Sequence, residues 1–244
     1  MMSIPRHAPI APTALRRLAS GAGIDAHRHD DHQIAYAASG VLAVTTDRGH
    51  WIAPATRAIW VPAGTVHEHR AYGPTDLHLV GLADNPVGLD APAVLAVGPL
   101  LRELIIAYTA DPDDTSDARE RIRGVLLDQL ERSPQQPIRL PVATDPRLAA
   151  VCEILYADPA DGRVLAQLGR QVGASERTLS RLFREEFAMT FPQWRTQLRL
   201  HHALIQLAEG EPVTTVAYRC GWSSPSAFID VFRRTFGQTP GRQF

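Results

Sequence analysis

The sequence predicts an α+β protein of two domains: a small antiparallel β barrel or sandwich, followed by an all-α unit. Three observations carry that prediction. Residues 20 to about 83 hold short apolar runs separated by turn residues. From residue 100 onward the apolar positions recur at helical spacing, and roughly the last eighty residues contain an internal repeat.

The β runs come first. QIAYAAS, VLAVTT, WIAP, RAIWVP and DLHLVGLA are enriched in Val, Ile, Ala and aromatic residues, which suit a pleated, half-buried surface. Between them stand Ser39-Gly40, Asp47-Arg48-Gly49, Pro62-Ala63-Gly64 and Tyr72-Gly73-Pro74, each a turn signal. The Pro-rich NPVGLDAPAVLAVGP (85–99) ends the β pattern. LLRELIIAY (100–108) and ARERIRGVLLDQLERS (118–133) then read as helices, the second through Ile122, Val125, Leu126 and Leu130. Leu126 and Leu130 fit either a dimer seam or ordinary packing within the chain. QQPIRLPVATDP (135–146) reads as a Pro-punctuated linker, and everything after residue 147 as helices with short turns. The expected divisions are residues 1–98, a helical linking region 99–143 that is a candidate for dimerisation, and residues 144–244.

Composition bounds the function. Hydrophobic residues at 45% and charged residues at 21% are ordinary for a globular chain, and 244 residues suffice for one large or two modest domains. Cys152 and Cys220 are too few and too far apart for a disulfide framework and read as reduced core filler. No apolar run approaches the length of a membrane span. The start, MMSIPRHAPIAPTALRR, lacks a signal-peptide core, so a cytoplasmic protein is expected. The net charge of −1 is unevenly spread: residues 160–244 carry eleven Arg against seven Asp plus Glu. That surplus hints at a polyanionic partner for the helical end.

The repeat gives the hint a shape. VLAQLGRQVGASERTLSRLFREEFAMTF (164–191) aligns with PVTTVAYRCGWSSPSAFIDVFRRTFGQTP (212–240). Gly169 and Gly173 answer Ala217 and Gly221, and Leu179, Leu182, Phe183 and Phe187 answer Phe228, Val231, Phe232 and Phe236. The second copy has one extra residue between its Gly and its second helix. Each copy reads as a short helix, a Gly turn and a longer helix capped by Ser175 or Ser224, with Pro225 at a first helical position. This is the helix-turn-helix pattern, whose second helix buries an apolar stripe and leaves its other side for the DNA major groove. The candidate DNA-contacting residues are Ser175, Arg177, Thr178, Ser180, Arg181 and Arg184 in the first copy, and Ser224, Ser226, Asp230, Arg233 and Arg234 in the second. Arg pairs bidentately with guanine edges, while Ser and Thr serve bases or phosphates. A solvated bundle face is the alternative, which two matching copies disfavour. QWRTQLRLHHALIQLAEG (193–210) reads as a long helix connecting the copies.

With LSRLFREEF, LRLHHAL and the ending GWSSPSAFIDVFRRTFGQTPGRQF, residues 145–244 closely resemble the AraC/XylS family of bacterial transcription regulators. The resemblance implies binding to double-stranded promoter DNA and control of transcription, often through contact with RNA polymerase. It also implies that the linking helices serve a homodimer in some members. Asp230 departs from the family: some relatives carry a basic or neutral contact residue there. It accepts from a cytosine amine or orients a neighbouring Arg.

The same family usually places an effector-sensing β domain first, and the histidines fit a cupin pattern there. In HRHDDHQ (27–33), His27, His29 and Gln33, followed by Gly40, resemble the first cupin motif, with Gln33 where a Glu is usual. Pro62, Gly64 and His67 resemble the second. Residues two apart on a strand face the same side, so His27 and His29 can converge. Gln33 and His67 then complete a three-His, one-amide set for a divalent ion, and its neutral donors favour Ni, Co, Zn, Cu or Fe over Mg or Ca. The alternatives are a polar pocket for an organic effector, or a barrel with a purely structural role. A cupin enzyme is a remote further reading, since no acid/base carboxylate accompanies the ligands and Glu68 should point outward. His69 and His78 read as satisfied core or surface residues; the alternatives are a spare or supporting ligand for His69, which shares a strand face with His67, and an inward-pointing His78. His32 should face away, Trp60 should be barrel core, and His7, His50, His201 and His202 read as surface.

Overall fold

The computed structural model describes residues 5–136 and 138–243. The first four residues, Pro137 and Phe244, which the expected divisions include, lie outside them. The chain forms two compact units, one ending at Arg139 and the other starting at Leu140.

The first unit opens with β1 (Arg6–Ala8), β2 (Ala14–Leu18), β3 (Gly23–His29) and β4 (His32–Ala37). It continues through β5 (Val41–Thr46), β6 (Gly49–Pro54), β7 (Arg57–Val61), β8 (His67–Tyr72), β9 (Thr75–Leu82) and β10 (Ala93–Ala96). Helices α1 (Pro99–Ala110) and α2 (Asp117–Glu131) follow, and β11 (Gln135–Gln136) ends it. One sheet runs β1-β3-β8-β5-β6 within this unit, and the other runs β11-β10-β7-β4-β9-β2. The expected barrel therefore takes the form of two sheets not closed into a ring. Among the described residues of this unit the expected antiparallel pairing has one exception, the parallel β1–β3 edge.

The helices after residue 99 do not stand apart. Leu101, Ile105, Tyr108, Leu126 and Leu130 pack with Ile34, Tyr36, Ala58, Trp60 and Val80 in one core. Leu126 and Leu130 are both 0% exposed. Burial of each is worth about 1.5–3 kcal/mol, so intramolecular packing, not a dimer seam, uses these side chains. Trp60 is core as expected, but on the helix side of the sheet, with its indole N–H donating to the Leu89 carbonyl at 3.0 Å. Because strand side chains alternate, Ile34 and Tyr36 facing the helices send Gln33 and Ala35 to the opposite, interior face.

The second unit comprises α3 (Pro146–Ala157), α4 (Leu165–Gln171), α5 (Glu176–Phe187), α6 (Phe191–Ala208), α7 (Val213–Arg219), α8 (Pro225–Phe236) and α9 (Pro240–Gln243). Leu179, Leu182, Phe183 and Phe187 join Trp194 and Leu198 in its first core, while Phe228, Phe232 and Phe236 form a ring ladder in the second copy. His201 is buried on α6, contrary to its surface reading, because the connecting helix is enclosed on the face that also carries Leu200 and Leu204. Cys152 and Cys220 are free and buried, and burial pushes their thiols up to about 12 and about 11, as expected of inert core filler. Among the described residues no helix is long and apolar enough to cross a membrane.

Candidate metal centre and nucleic-acid interface

His27 and His29 enter the site from β3, and His67 from β8, with His27 directly opposite His67 in the register. A bulge sits between the pairs Ile24–His69 and His27–His67, so that Asp25 and Ala26 oppose Glu68 alone. Such an extra residue re-aims the side chains that follow it. The turn containing Gly64 is tied to β3 by its N–H, which donates to the His29 carbonyl at 2.8 Å. Gly64 takes φ +73°, which a residue with a side chain adopts only with strain. That tie brings the two histidine segments together. The rings of His27 and His67 lie 4.3 Å apart, those of His29 and His67 5.0 Å, and those of His27 and His29 6.0 Å.

Each ring is held the same way. His27 Nδ1 donates to the Asp25 carbonyl at 2.8 Å, His29 Nδ1 to the Asp31 carbonyl at 2.6 Å, and His67 Nδ1 to the Thr65 carbonyl at 2.9 Å. A carbonyl only accepts, so Nδ1 carries a proton in each ring, which in the neutral imidazole leaves the lone pair on Nε2. A ligand atom from each of the three lies within 4.8 Å of the others. The Nε2 atoms of His29 and His67 are buried without a hydrogen-bond partner. Burial, opposed by the Thr65 bond and helped by His27 and His29, pushes His67 down to about 3. Burial also lowers His27, against its Asp25 bond and with His29, Arg16 and Arg6 adding to the effect. Neutral, orientated imidazoles with free lone pairs are the form in which histidine binds a metal, and ring N–H groups anchored on carbonyls are the usual support. The residues present therefore fit a transition-metal ion.

Gln33 lies on the other sheet, paired with Val61 and Gly81, and is fully buried with neither amide atom hydrogen-bonded. His69 is also interior, its ring 5.0 Å from His67 and both its nitrogens without a partner. His78 is spent elsewhere: its Nδ1 meets the Thr109 hydroxyl at 2.6 Å, joining β9 to α1. His32 faces away, stacked on Trp60 at 5.0 Å. Glu68 is exposed, as its alternation with His67 requires. The orienting carbonyls and two nearby arginines, Arg6 and Arg16, had no signal in residue identity. They lie in the bulge, in turns, and in edge strands ahead of the readable β pattern.

The helical unit presents its candidates on two capped helices. Ser175 accepts from the Thr178 N–H at 3.0 Å and Ser224 from the Ala227 N–H at 3.2 Å, so both serines are spent partly as caps. The turns repeat in detail: Ala174 N–H donates to the Gly169 carbonyl at 2.8 Å, and Trp222 N–H to the Ala217 carbonyl at 2.9 Å. A Cβ on Gly169 would stand 2.4 Å from the Ala174 carbonyl oxygen, which explains a glycine there. Arg177, Arg181 and Arg184 are exposed on α5, as are Ser226, Asp230, Arg233 and Arg234 on α8; Thr178 and Ser180 are half-buried. Arg181 pairs with Glu185 at 2.5 Å and Arg233 with Asp230 at 3.3 Å. Among the described residues Arg177 and Arg184 form no ion pair.

Residues 168–243 match the helix-turn-helix domain family and residues 14–82 the cupin domain family. The transcriptional regulator NimR of Escherichia coli is 34% identical over 220 residues, spanning 88% of this chain and 80% of that protein. A putative AraC-like transcription regulator of Streptomyces antibioticus is 31% identical over 119 residues, 48% of this chain and 39% of that one. The chain belongs to the AraC-like family of helix-turn-helix transcriptional regulators. As an AraC-like protein it is a DNA-binding transcriptional regulator with a cupin domain, not an enzyme. Among solved structures, the DNA-binding domain of AdpA in complex with a target DNA is 30% identical, with a TM-score of 0.37 over 39% of this chain and 87% of that one.

Proposed function

We propose that the cupin domain of this AraC-like regulator binds a divalent transition-metal ion as its signal, through His27, His29 and His67, with the Gln33 amide as a further donor. The observation carrying this reading is the three-ring cluster in which each Nδ1 is anchored on a carbonyl and the ligand nitrogens lie within 4.8 Å of one another. Imidazole donors select Ni, Co, Zn, Cu or Fe. For the ion to act as a signal, it must bind two conformations of the regulator unequally, since equal affinity shifts nothing. In the same reading the regulator works in the cytoplasm on promoter DNA, contacts RNA polymerase, and associates as a homodimer through surfaces other than Leu126 and Leu130. Ser175, Arg177, Thr178, Ser180, Arg181, Arg184, Ser224, Ser226, Asp230, Arg233 and Arg234 supply the DNA contacts.

Elemental analysis and Co(II) titration of the full-length protein test the site. Wild type and His32→Ala should bind about one ion per chain, and His27→Ala/His67→Ala should lose it. Equal binding by the double variant sinks the site. Promoter affinity and transcription that do not change with the ion sink the signalling role.

A further inference from the structure

A cavity of about 540 Å³ opens beside the three histidines, a volume suited to a small organic molecule. His27 and His29 line one part of it, and Arg6 of β1 and Arg16 of β2 bring two guanidinium groups to another. Ile24 and Leu79 add apolar surface, and among the described residues Asp25 is the single carboxylate in the lining. Among the described residues neither arginine is in an ion pair, whereas the neighbouring Arg17 approaches Asp76 at 3.7 Å.

The charge balance is lopsided once an ion is bound. Three neutral imidazoles and a neutral amide leave a divalent charge uncompensated, because Gln33 stands where a carboxylate would have supplied an anion. Two guanidinium groups add to it, and Asp25 offsets only one charge. Cationic charge gathered at a partly enclosed, partly apolar site is unfavourable unless an anion meets it. Guanidinium groups meet carboxylates with charge-assisted, often bidentate hydrogen bonds.

Resting on the metal reading above, we propose that this cavity takes a small organic carboxylate with an apolar body. Its anion is recognised by Arg6, Arg16 and the histidine-bound ion, and its body by Ile24 and Leu79. The regulator then reads ion and carboxylate together.

Mandelate, a carboxylate with an aromatic body, is the probe, and mandelamide its uncharged counterpart. Calorimetry on the full-length, Co(II)-loaded protein gives affinities, and the visible absorption of Co(II) reports a ligand beside the ion. Mandelate should bind and change that spectrum, and mandelamide should bind at least about tenfold more weakly. Arg6→Gln/Arg16→Gln should lose at least about tenfold for mandelate while binding Co(II) at least as tightly as wild type, since two like charges beside the ion are gone, and Arg17→Gln should change neither. Normal Co(II) binding with no mandelate binding overturns the proposal and leaves the metal reading standing. So does mandelate binding that equals mandelamide or ignores the arginines. Failure of the wild type to bind Co(II) overturns the metal reading and the shared site with it. The arginine pair as an anion site then stands or falls on mandelate binding to the metal-free protein.

Discussion

Arg181 and Arg177 sit one turn apart on α5, yet they are held differently. Arg181 is drawn along the helix to Glu185 at 2.5 Å, while Arg177 has no acidic partner among the described residues. An exposed pair of this kind is worth about 0–1 kcal/mol, so DNA can displace it readily. If Arg181 reads a base, Arg181→Ala should lose about 1–3 kcal/mol of discrimination between the operator and a mismatched site. Competition binding at fixed salt measures this, and equal losses on both sequences would make Arg181 a phosphate contact. Asp230 lies 3.3 Å from Arg233, which fits the orienting role that its sequence position left open beside direct contact. At this scale His27 and His29 were legible as a pair because a strand's two-residue period places them on one side, and His67 joined them through the resemblance to the second cupin motif. What orients the three rings was not legible: the carbonyls of Asp25, Asp31 and Thr65 belong to backbone whose path depends on a bulge and two turns.

Elements were legible where their pattern repeats and obscure where it is short. The two helix-turn-helix copies announce themselves through matched Gly, Ser and aromatic positions, and the structure gives both the same turn hydrogen bond. By contrast β1, β2 and β10 are three, five and four residues long, too short for alternation to rise above background. Glycine shows how element context sets the sign of a substitution. Gly169→Ala forces a Cβ to 2.4 Å from a backbone oxygen that cannot move without disturbing the turn, and should destabilise the helical unit by about 1–3 kcal/mol. Gly124 lies exposed inside α2 with nothing within 4 Å of its missing Cβ. Gly124→Ala should therefore stabilise the first unit by about 0.5–1 kcal/mol, because alanine costs less backbone entropy in a helix. Chemical denaturation of each variant beside wild type tests the pair, and changes of the same sign would contradict the argument.

The whole molecule keeps many of its histidines from charging. Burial lowers His27, His32, His50, His67, His69, His78 and His202, with His67 pushed down to about 3. Six of the seven belong to the cupin unit, where the sequence pointed to a ligand set but not to this wider burial of imidazole. Each folded value lies below the ordinary value of about 6.5 that the unfolded chain regains. Between those values the unfolded chain binds protons that the folded chain refuses, so stability rises with pH across the window. It is fully present above about pH 7 and is lost progressively as pH falls through 6.5 toward 3. Metal-free protein should therefore melt at steadily lower temperature from pH 7.5 to pH 5. A loaded site should steepen the fall, because protons compete with the ion for the same Nε2 lone pairs. Thermal melts across that range, with chelator and with Co(II), measure both slopes. A melting temperature that is flat or rises on acidification would show that the buried imidazoles are not held neutral. Identical slopes with and without Co(II) would count against ion binding at His27, His29 and His67.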